Sequence, residues 1–290
     1  MTDHTPTGSG NPGNPGNPGA DPGGSFDLGA HLAGLMIYAM DDPDRAGPLG
    51  WLVIYAVKGA RSLPLESYSR GHASLPDGAW KQGSDPRALM EALPVFGIEH
   101  AGAVLTEPHE LTGLDWQSPD HHFALFDAMA DRLPFIVQRA EAYWGVIQDW
   151  YAAPERAPGT DKVLRQYAAL YNAGLYYEAY KLLEMRWMVE PEPGRDLLRG
   201  LMQLSVGLHQ VETGKFAMQQ LEEAYGRIRT GKAAFGYPTI ERFIKRLEKA
   251  TRLIKAHGPD GYQKFDLRMF PKMWFASPWK ILWGRMRQGL

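Results

Sequence analysis

From Thr160 to His257, apolar side chains recur along this chain at a 3.6-residue period. This spacing places the apolar residues on one face of successive helices. It predicts five helices with short connections, folded as a bundle of antiparallel pairs. The first predicted helix carries Val163, Leu164, Tyr167, Leu170 and Tyr171 on one face and ends at Gly174, and the second is Tyr176–Met188. The third carries a stripe of Leu197, Leu201, Leu204 and Leu208 and ends near Gly214. The fourth and fifth are Lys215–Arg229 and Thr239–His257.

Two glycines lie inside the third predicted helix. Gly200 and Gly207 are seven residues apart, which puts them on the same helix face. Each glycine in a helix interior costs roughly 1 kcal/mol relative to alanine. Their positions predict that a neighbouring helix packs unusually close to this face.

The N-terminal region has a different pattern, in which short apolar runs are separated by turn-forming residues. The runs Gly34–Met40 and Gly50–Val57 are rich in β-branched and aromatic residues, and they predict two strands of a hairpin or meander. Ser84-Asp85-Pro86 predicts a helix start that leads into Arg87–Leu93, followed by a third strand, Ile98–Thr106. Together these elements predict a small α+β layer.

Two more helices are predicted between this layer and the bundle. Ser118-Pro119 predicts a helix start, and Leu133-Pro134 interrupts that helix because proline has no amide hydrogen to donate. A second helix then runs to about Tyr151, and residues 154–159 predict a linker. The apolar side chains at helical spacing are Phe123, Phe126 and Met129 in the first helix and Ile136, Tyr143, Trp144 and Ile147 in the second.

The predicted fold class is α+β, with a small N-terminal α+β layer followed by a C-terminal all-α bundle. The predicted organisation is a flexible tail over 1–26, an α+β domain over 27–152, the bundle over 160–257 and a basic aromatic tail over 258–290. The first tail contains three Asn-Pro-Gly triplets and almost no apolar side chains, so it cannot offset the entropy of ordering.

Composition favours a globular protein of the cytoplasm. The chain has no cysteine, which excludes disulfides, thiolate zinc sites and cysteine nucleophiles. No stretch approaches the roughly 18 apolar residues of a transmembrane helix, and no signal peptide is visible. We therefore expect a cytoplasmic protein without a transmembrane segment.

Residues 171–187, which we call the signature segment, read Y-N-A-G-L-Y-Y-E-A-Y-K-L-L-E-M-R-W, and residues 199–205 read R-G-L-M-Q-L-S. Both resemble the small bacterial helical family called domain of unknown function 309. That family shows N-x-G-x-Y-x-E-A-H-E-x-x-E-x-x-W, followed by a helix reading roughly Q-G-L-I-Q-L-A. The similarity covers about residues 161–230, and it implies no established reaction. The start of the second helix also resembles a tetratricopeptide turn, which likewise implies paired antiparallel helices.

The signature segment departs from the family pattern at one chemically important position. Tyr180 stands where the family has histidine, and Lys181 stands where it has an acid. Tyr180, Glu184 and Trp187 share one helix face. A neutral phenol is a poor metal ligand, so we expect neither a metal nor a cofactor.

A binding groove is predicted on the bundle, lined by Tyr177, Tyr180, Glu184, Trp187 and Gln203, with His209 nearby. Glu184 has two interpretations. It is either an acid of shifted pKa in a pocket with Tyr180 and His209, or, as we favour, a buried acceptor bonded to Tyr180 or to the next helix. No phosphate loop, nucleophile elbow or His-Glu-x-x-His motif is present, so no catalytic residue is predicted.

Charge is divided unevenly along the chain. Residues 1–150 hold 19 acids and 8 bases, whereas residues 151–290 hold 14 acids and 23 bases. This polarity indicates either an anionic partner or, as we favour, attraction between the two halves. The C-terminal tail interleaves bases with aromatics, which is typical of nucleic-acid or anionic-surface binding, but we favour a tail whose aromatics anchor it to the N-terminal domain. The tail residues concerned are Lys264, Lys272, Lys280 and Arg285 with Trp274, Phe275, Trp279 and Trp283.

Three function hypotheses follow. The leading one is a non-catalytic helical binding or scaffold module with a protein partner. The second is a protein that binds nucleic acid or an anionic surface through its basic half. The third is an enzyme of unknown class that uses Glu184 with Tyr180 or His209.

Overall fold

The computed structural model describes residues 27–73, 87–106, 110, 118, 120–152, 161–192, 194–234, 238–261 and 266–275. It confirms the predicted fold class, an N-terminal α+β layer followed by an all-α bundle. None of the helices in these ranges combines the length and the hydrophobicity of a transmembrane span. Several predicted features lie outside them, namely the tail 1–26, the helix start 84–86, the linker 154–159, and Lys264, Trp279, Lys280, Trp283 and Arg285.

The first two elements of the layer are helices, α1 (Leu28–Asp41) and α2 (Gly47–Lys58). The Asp27 carboxylate caps α1 by accepting a hydrogen bond from the Ala30 amide at 3.0 Å. Helix α2 has proline in its first turn, and it ends at Gly59, whose φ of 61° favours glycine.

The strands predicted at Gly34–Met40 and Gly50–Val57 are therefore wrong. Eight of the 14 residues of α1 and nine of the 12 residues of α2 are buried. A helix buried on most of its sides carries apolar residues at nearly every position, so its 3.6-residue period disappears. Such a run cannot be distinguished from a buried strand by periodicity alone.

The layer contains a four-stranded antiparallel sheet in the order β1-β4-β2-β3. The predicted strand Ile98–Thr106 is in fact a hairpin, because Ala101 and Gly102 turn the chain with positive φ values of 50° and 83°. The strands are β1 (Ser62–Pro64), β2 (Phe96–His100), β3 (Ala103–Leu105) and β4 (His122–Leu125).

Strand β4 replaces the helix that was predicted after Ser118-Pro119. The strand lies inside the sheet and pairs with β1 on one side and β2 on the other. Its Phe123 ring stacks on Phe96 of β2 at 5.0 Å, and Tyr55 of α2 meets the edge of Phe96 at 4.8 Å. Pairing with two distant strands satisfies the backbone here, and this tertiary contact overrides the helical spacing of the phenylalanines.

The described residues of this region form three further helices, α3 (Leu65–Ala73), α4 (Arg87–Ala92) and α5 (Leu133–Ala152). Helices α4 and α5 confirm the predictions at Arg87–Leu93 and from Pro134 to about Tyr151. The α5 stripe faces the core as predicted, with Ile136, Tyr143 and Ile147 buried.

All five predicted helices of the bundle are present. The fourth begins at Met218, three residues later than predicted, and the fifth departs from helical geometry at Gly258, whose φ is 66°. The helices are α6 (Lys162–Asn172), α7 (Tyr176–Val189), α8 (Gly194–Glu212), α9 (Met218–Gly231) and α10 (Pro238–Gly261). Short 3₁₀ segments cover Pro43–Arg45, Asp127–Arg132, Lys232–Ala234 and Leu267–Met269.

The close helix packing predicted from glycine is confirmed where α8 meets α9. A Cβ at Gly200 would lie 2.8 Å from the Ile228 amide nitrogen, and one at Gly207 would lie 2.9 Å from the Leu221 side chain. Gly231 is tighter still, since its Cβ would lie 2.5 Å from the Leu197 nitrogen. Only glycine allows the two backbones to approach this closely.

The C-terminal end of α1 contacts both α5 and the bundle. Its last carbonyls have no partners within the helix. The Met40 carbonyl accepts a hydrogen bond from Trp150 of α5 at 3.0 Å, and the Ala39 carbonyl accepts one from Tyr151. The Asp41 carbonyl accepts one from Lys162 of α6 at 2.7 Å. Helix α1 also packs against α7, so the predicted domains share an interface.

Candidate functional site

The signature segment begins with the turn that joins α6 to α7. Gly174 has a φ of 79°, in the left-handed region that favours glycine. The Leu175 amide donates to the Leu170 carbonyl at 3.0 Å, and the Gly174 amide donates to the Tyr171 carbonyl at 3.1 Å. This pair of hydrogen bonds is the Schellman arrangement that closes a helix end. The glycine of the family pattern therefore has a structural role here.

Asn172, at the end of α6, binds the C-terminal segment, which we define as residues 266–275. Its amide nitrogen donates to the Met273 carbonyl at 2.8 Å, and its amide oxygen accepts from the Met273 nitrogen at 2.8 Å. Lys272 donates to the Asn172 carbonyl. The predicted anchoring of the tail to the N-terminal domain is therefore wrong for this segment, which docks on the bundle through buried Phe270 and Met273.

Glu178 is the buried acid of the signature segment. It lies in the first turn of α7 and is only 2% exposed. Tyr143 of α5 donates to its Oε1 at 2.5 Å, and the Arg139 guanidinium lies 3.5 Å from its Oε2. Arg139 is itself 8% exposed, so both charges lie in the core. A buried carboxylate needs such partners, because it has lost its hydration.

The same contact changes the chemistry of Tyr143. Burial, followed by the charge of Glu178 and the hydrogen bond to it, raises the pKa of the Tyr143 hydroxyl well above its ordinary value. The hydroxyl therefore stays protonated and acts as a donor. Donor, acceptor and counter-charge form one buried group that joins α5 to α7.

Tyr177 is the first of the predicted groove residues, and it is 4% exposed. Its hydroxyl donates to Asp27, the capping residue of α1, at 3.2 Å. Its ring lies 5.9 Å from the His209 ring, so these two predicted site residues do meet. Burial, followed by the charge of Asp27, raises the pKa of the Tyr177 hydroxyl. Tyr177 thus belongs to the interface between α7 and the N-terminal layer.

Tyr180 and Glu184 form a pair on α7, as their spacing predicts. The Tyr180 hydroxyl donates to Glu184 Oε1 at 2.8 Å, and the Lys181 ammonium binds Glu184 Oε2 at 3.0 Å. The Glu184 side chain is 33% exposed, so the expectation that it is buried is wrong. It is half-buried, and it follows Leu183, the last fully buried residue of the helix.

The other predicted site residues lie in separate places. The Trp187 ring is half-buried against the core, and its buried Nε1 has no hydrogen-bond partner in the described part of the chain. The Gln203 amide nitrogen donates to Glu223 of α9 at 3.0 Å, which turns this side chain toward α9. His209 Nδ1 lies 3.3 Å from Glu212. The groove lined by these five residues therefore stays a prediction. Its two tyrosines, Tyr177 and Tyr180, are both buried.

Two cavities can be described, and neither is lined by the predicted groove residues. One, of about 680 Å³, is bounded by α1, α2 and α4. A smaller one, of about 240 Å³, lies between the α6–α7 turn and the C-terminal segment, and Asn172, Tyr176 and Phe270 are among its lining residues. In the ranges that the structure covers, no group of three or more acidic or histidine side chains could hold a metal ion.

The helices of this site match a known family. The model described as Domain of unknown function (DUF309) covers residues 164–219, about a fifth of the chain. The resemblance is confirmed. No curated protein and no solved structure matches the chain. The DUF309 region therefore spans α6, α7, α8 and the start of α9, and it contains the whole signature segment.

Sequence reasoning missed the contacts of Asn172 and Glu178. A signal for the second was present in the periodicity. Glu178 lies three residues after Leu175 and four before Leu182, and both leucines are buried. Arg139 likewise interrupts the buried stripe of α5. An acid inside one apolar stripe and a base inside another together indicate a buried ion pair.

Proposed function

We propose that this chain is a non-catalytic helical scaffold, in which the DUF309 region holds flanking parts of the same chain together. The observation that supports it is that three residues of this region bind partners outside it. Asn172 binds residue 273, Tyr177 binds residue 27, and Glu178 binds residues 139 and 143. All of these partners lie outside the matched residues 164–219.

The geometry of these contacts favours a scaffold because they lie close together. Three separate segments, before α1, within α5 and after α10, converge on residues 172–178. The contacts combine two hydrogen bonds between the Asn172 side chain and the Met273 backbone, two tyrosine hydroxyls and a buried ion pair. Each of them orients its segment as well as attracting it, since hydrogen bonds are directional.

The burial of the reactive groups supports a scaffold over an enzyme. Tyr177, Glu178 and Tyr180 are between 2% and 4% exposed, so a substrate would have to displace core contacts to reach them. The more exposed acid, Glu184, already binds Tyr180 and Lys181 with its two oxygens. A catalytic acid or base must lie within hydrogen-bond reach of its substrate.

Hydrogen–deuterium exchange on the full chain tests this proposal. In Asn172→Ala the C-terminal segment loses both hydrogen bonds to the side chain, which together contribute about 1 to 3 kcal/mol. We expect residues 266–275 to exchange faster, the Met273 amide most of all. Gln203→Ala is the matched control, because its hydrogen bond stays within the bundle. Unchanged exchange in the segment in Asn172→Ala, or equal acceleration in both variants, contradicts the proposal.

A further inference from the structure

Helix α10 carries four exposed cations along one face, Arg242, Lys245, Arg246 and Lys249. We call them the basic stripe. Their spacing of three, one and three residues is that of neighbours on a single helical face. In the part of the chain that the structure describes, none of the four takes part in an ion pair.

The other cations near this face are neutralised. Lys232 binds Glu241 at 2.5 Å, Arg252 binds Glu248 at 2.6 Å and Lys255 binds Glu222 at 2.7 Å. Within the stripe, by contrast, Arg242 and Arg246 are four residues apart, as are Lys245 and Lys249. Like charges at this spacing destabilise a helix by about 0.2 to 0.5 kcal/mol per pair. The four cations therefore repel one another on the exposed face, and an anionic ligand would relieve this repulsion.

The opposite face of α10 argues against an anionic membrane as the ligand. Its apolar residues are buried in the bundle, where Phe243 meets the edge of Tyr171 at 6.0 Å. A helix that binds an anionic membrane inserts its apolar face among the lipids. That face is unavailable here, so the stripe alone would have to hold a membrane. The buried residues are Ile240, Phe243, Ile244, Leu247, Ala250 and Ile254.

The backbone of an exposed tryptophan is held at the N-terminal end of the stripe. Trp274 of the C-terminal segment is 63% exposed. Its carbonyl accepts a hydrogen bond from the Thr239 hydroxyl, one turn before Arg242. Single-stranded nucleic acids bind where a basic surface that follows the backbone accompanies an aromatic ring on which a base can stack.

We propose that the basic stripe and Trp274 together bind single-stranded nucleic acid, with backbone phosphates on the four cations and a base on the indole. This site differs from the tail site expected from the sequence. Of those tail cations, Lys272 binds the Asn172 carbonyl instead. The proposal goes beyond the scaffold function. Because the stripe is exposed and takes no part in the scaffold contacts, a failure of one proposal leaves the other standing.

The test is fluorescence anisotropy of a labelled thymidine oligonucleotide titrated with the full chain at about 50 to 200 mM salt. Arg246→Gln/Lys249→Gln removes one arginine and one lysine from the stripe. Lys215→Gln/Arg229→Gln removes the same two charges from exposed positions outside it, and neither of these cations takes part in an ion pair in the described ranges. Each phosphate contact with a single strand contributes about 0.7 to the salt slope, so the first variant should reduce the slope by about 1.4 and the control should leave it unchanged.

Trp274→Ala tests the stacking part. We expect affinity to fall at least about five-fold, and Trp274→Phe to retain most of it, because phenylalanine still offers a stacking face. Circular dichroism should be unchanged in all these variants, since the substituted side chains are exposed.

Four results overturn the proposal. The first is that the unaltered chain does not bind the oligonucleotide at the lowest salt, and the second is that the two charge variants lose equal affinity. The third is that polyglutamate competes with the labelled oligonucleotide as well as the unlabelled oligonucleotide does. The fourth is that the stripe is needed for binding to phosphatidylserine vesicles while the oligonucleotide does not bind. Stronger binding to a duplex than to the single strand overturns the stacking role of Trp274.

Discussion

Helices α2 and α9 show how position in the fold determines the pattern of a sequence. Nine of the 12 residues of α2 are buried, because it lies between the sheet and α5. Only five of the 14 residues of α9 are buried, and they form a stripe against α8. Helix α2 therefore lacks the helical period, whereas α9 keeps it.

The two regions also differ in how they are stabilised where they meet. Inside each region the contacts are mostly apolar, but the contact between α5 and α7 contains the ion pair of Arg139 and Glu178 with Tyr143. Removing one member of a buried pair leaves an uncompensated charge in the core. The junction should therefore respond to substitution more strongly than either region alone.

The largest effect is expected at this junction. Glu178→Ala leaves Arg139 buried without a counter-charge, and it should lower the free energy of unfolding by about 3 to 5 kcal/mol. Urea denaturation followed by circular dichroism measures the change. The control replaces the whole group, Arg139→Met/Tyr143→Phe/Glu178→Leu, which should cost far less. If the triple variant is as unstable as Glu178→Ala, burial of an unpaired charge is not the cause.

A smaller loss is expected inside the bundle. In Gly231→Ala the new Cβ would lie 2.5 Å from the Leu197 backbone nitrogen, so α8 and α9 must separate. Overpacking of this kind costs about 1 to 3 kcal/mol. Gly226→Ala, on the same helix with no heavy atom within 4 Å of its Cβ, should instead stabilise α9 by about 0.5 to 1 kcal/mol. Close packing is confirmed if thermal unfolding shows that Gly231→Ala lowers the stability and Gly226→Ala raises it. A change in the same direction in both variants refutes it.

The contrast between inner and outer helix positions can be tested with one substitution at two positions. Val53 of α2 is 5% exposed, whereas Val189 of α7 is 76% exposed. Val53→Thr should cost about 1 to 2 kcal/mol, because its hydroxyl enters an apolar site between two layers. Val189→Thr should stay within about 0.5 kcal/mol of the original chain. Equal losses in chemical denaturation would show that α2 is not an inner helix.

The smallest effect concerns the hydroxyl that reaches α1. Tyr177→Phe removes the hydrogen bond to Asp27 and should cost about 1 kcal/mol. Tyr180→Phe removes a bond of the same kind that stays within α7. Amide exchange at the start of α1 should therefore accelerate in the first variant alone. Acceleration in both variants would mean that Tyr177 has no specific role in holding α1.

Local pattern was sufficient to predict the bundle from the sequence. Gly174 and Gly214 end helices with a positive φ, and Gly200 predicted a close neighbour without naming it. The N-terminal layer needed information that is not local. Phe123 lies at helical spacing from Phe126, yet strand pairing on both sides of β4 decides its conformation. The contact of Asn172 with residue 273 crosses 101 positions, so no periodicity could predict it.

In this fold Glu178 holds α5 against the DUF309 region through Tyr143 and Arg139. Hydrogen–deuterium exchange of the full chain carrying Glu178→Gln tests it most directly, because the amide keeps the size of the side chain and removes its charge. We predict that residues 133–152 of α5 lose protection together with α7, while α9 keeps its own. Faster exchange confined to α7, with α5 unchanged, would contradict the claim.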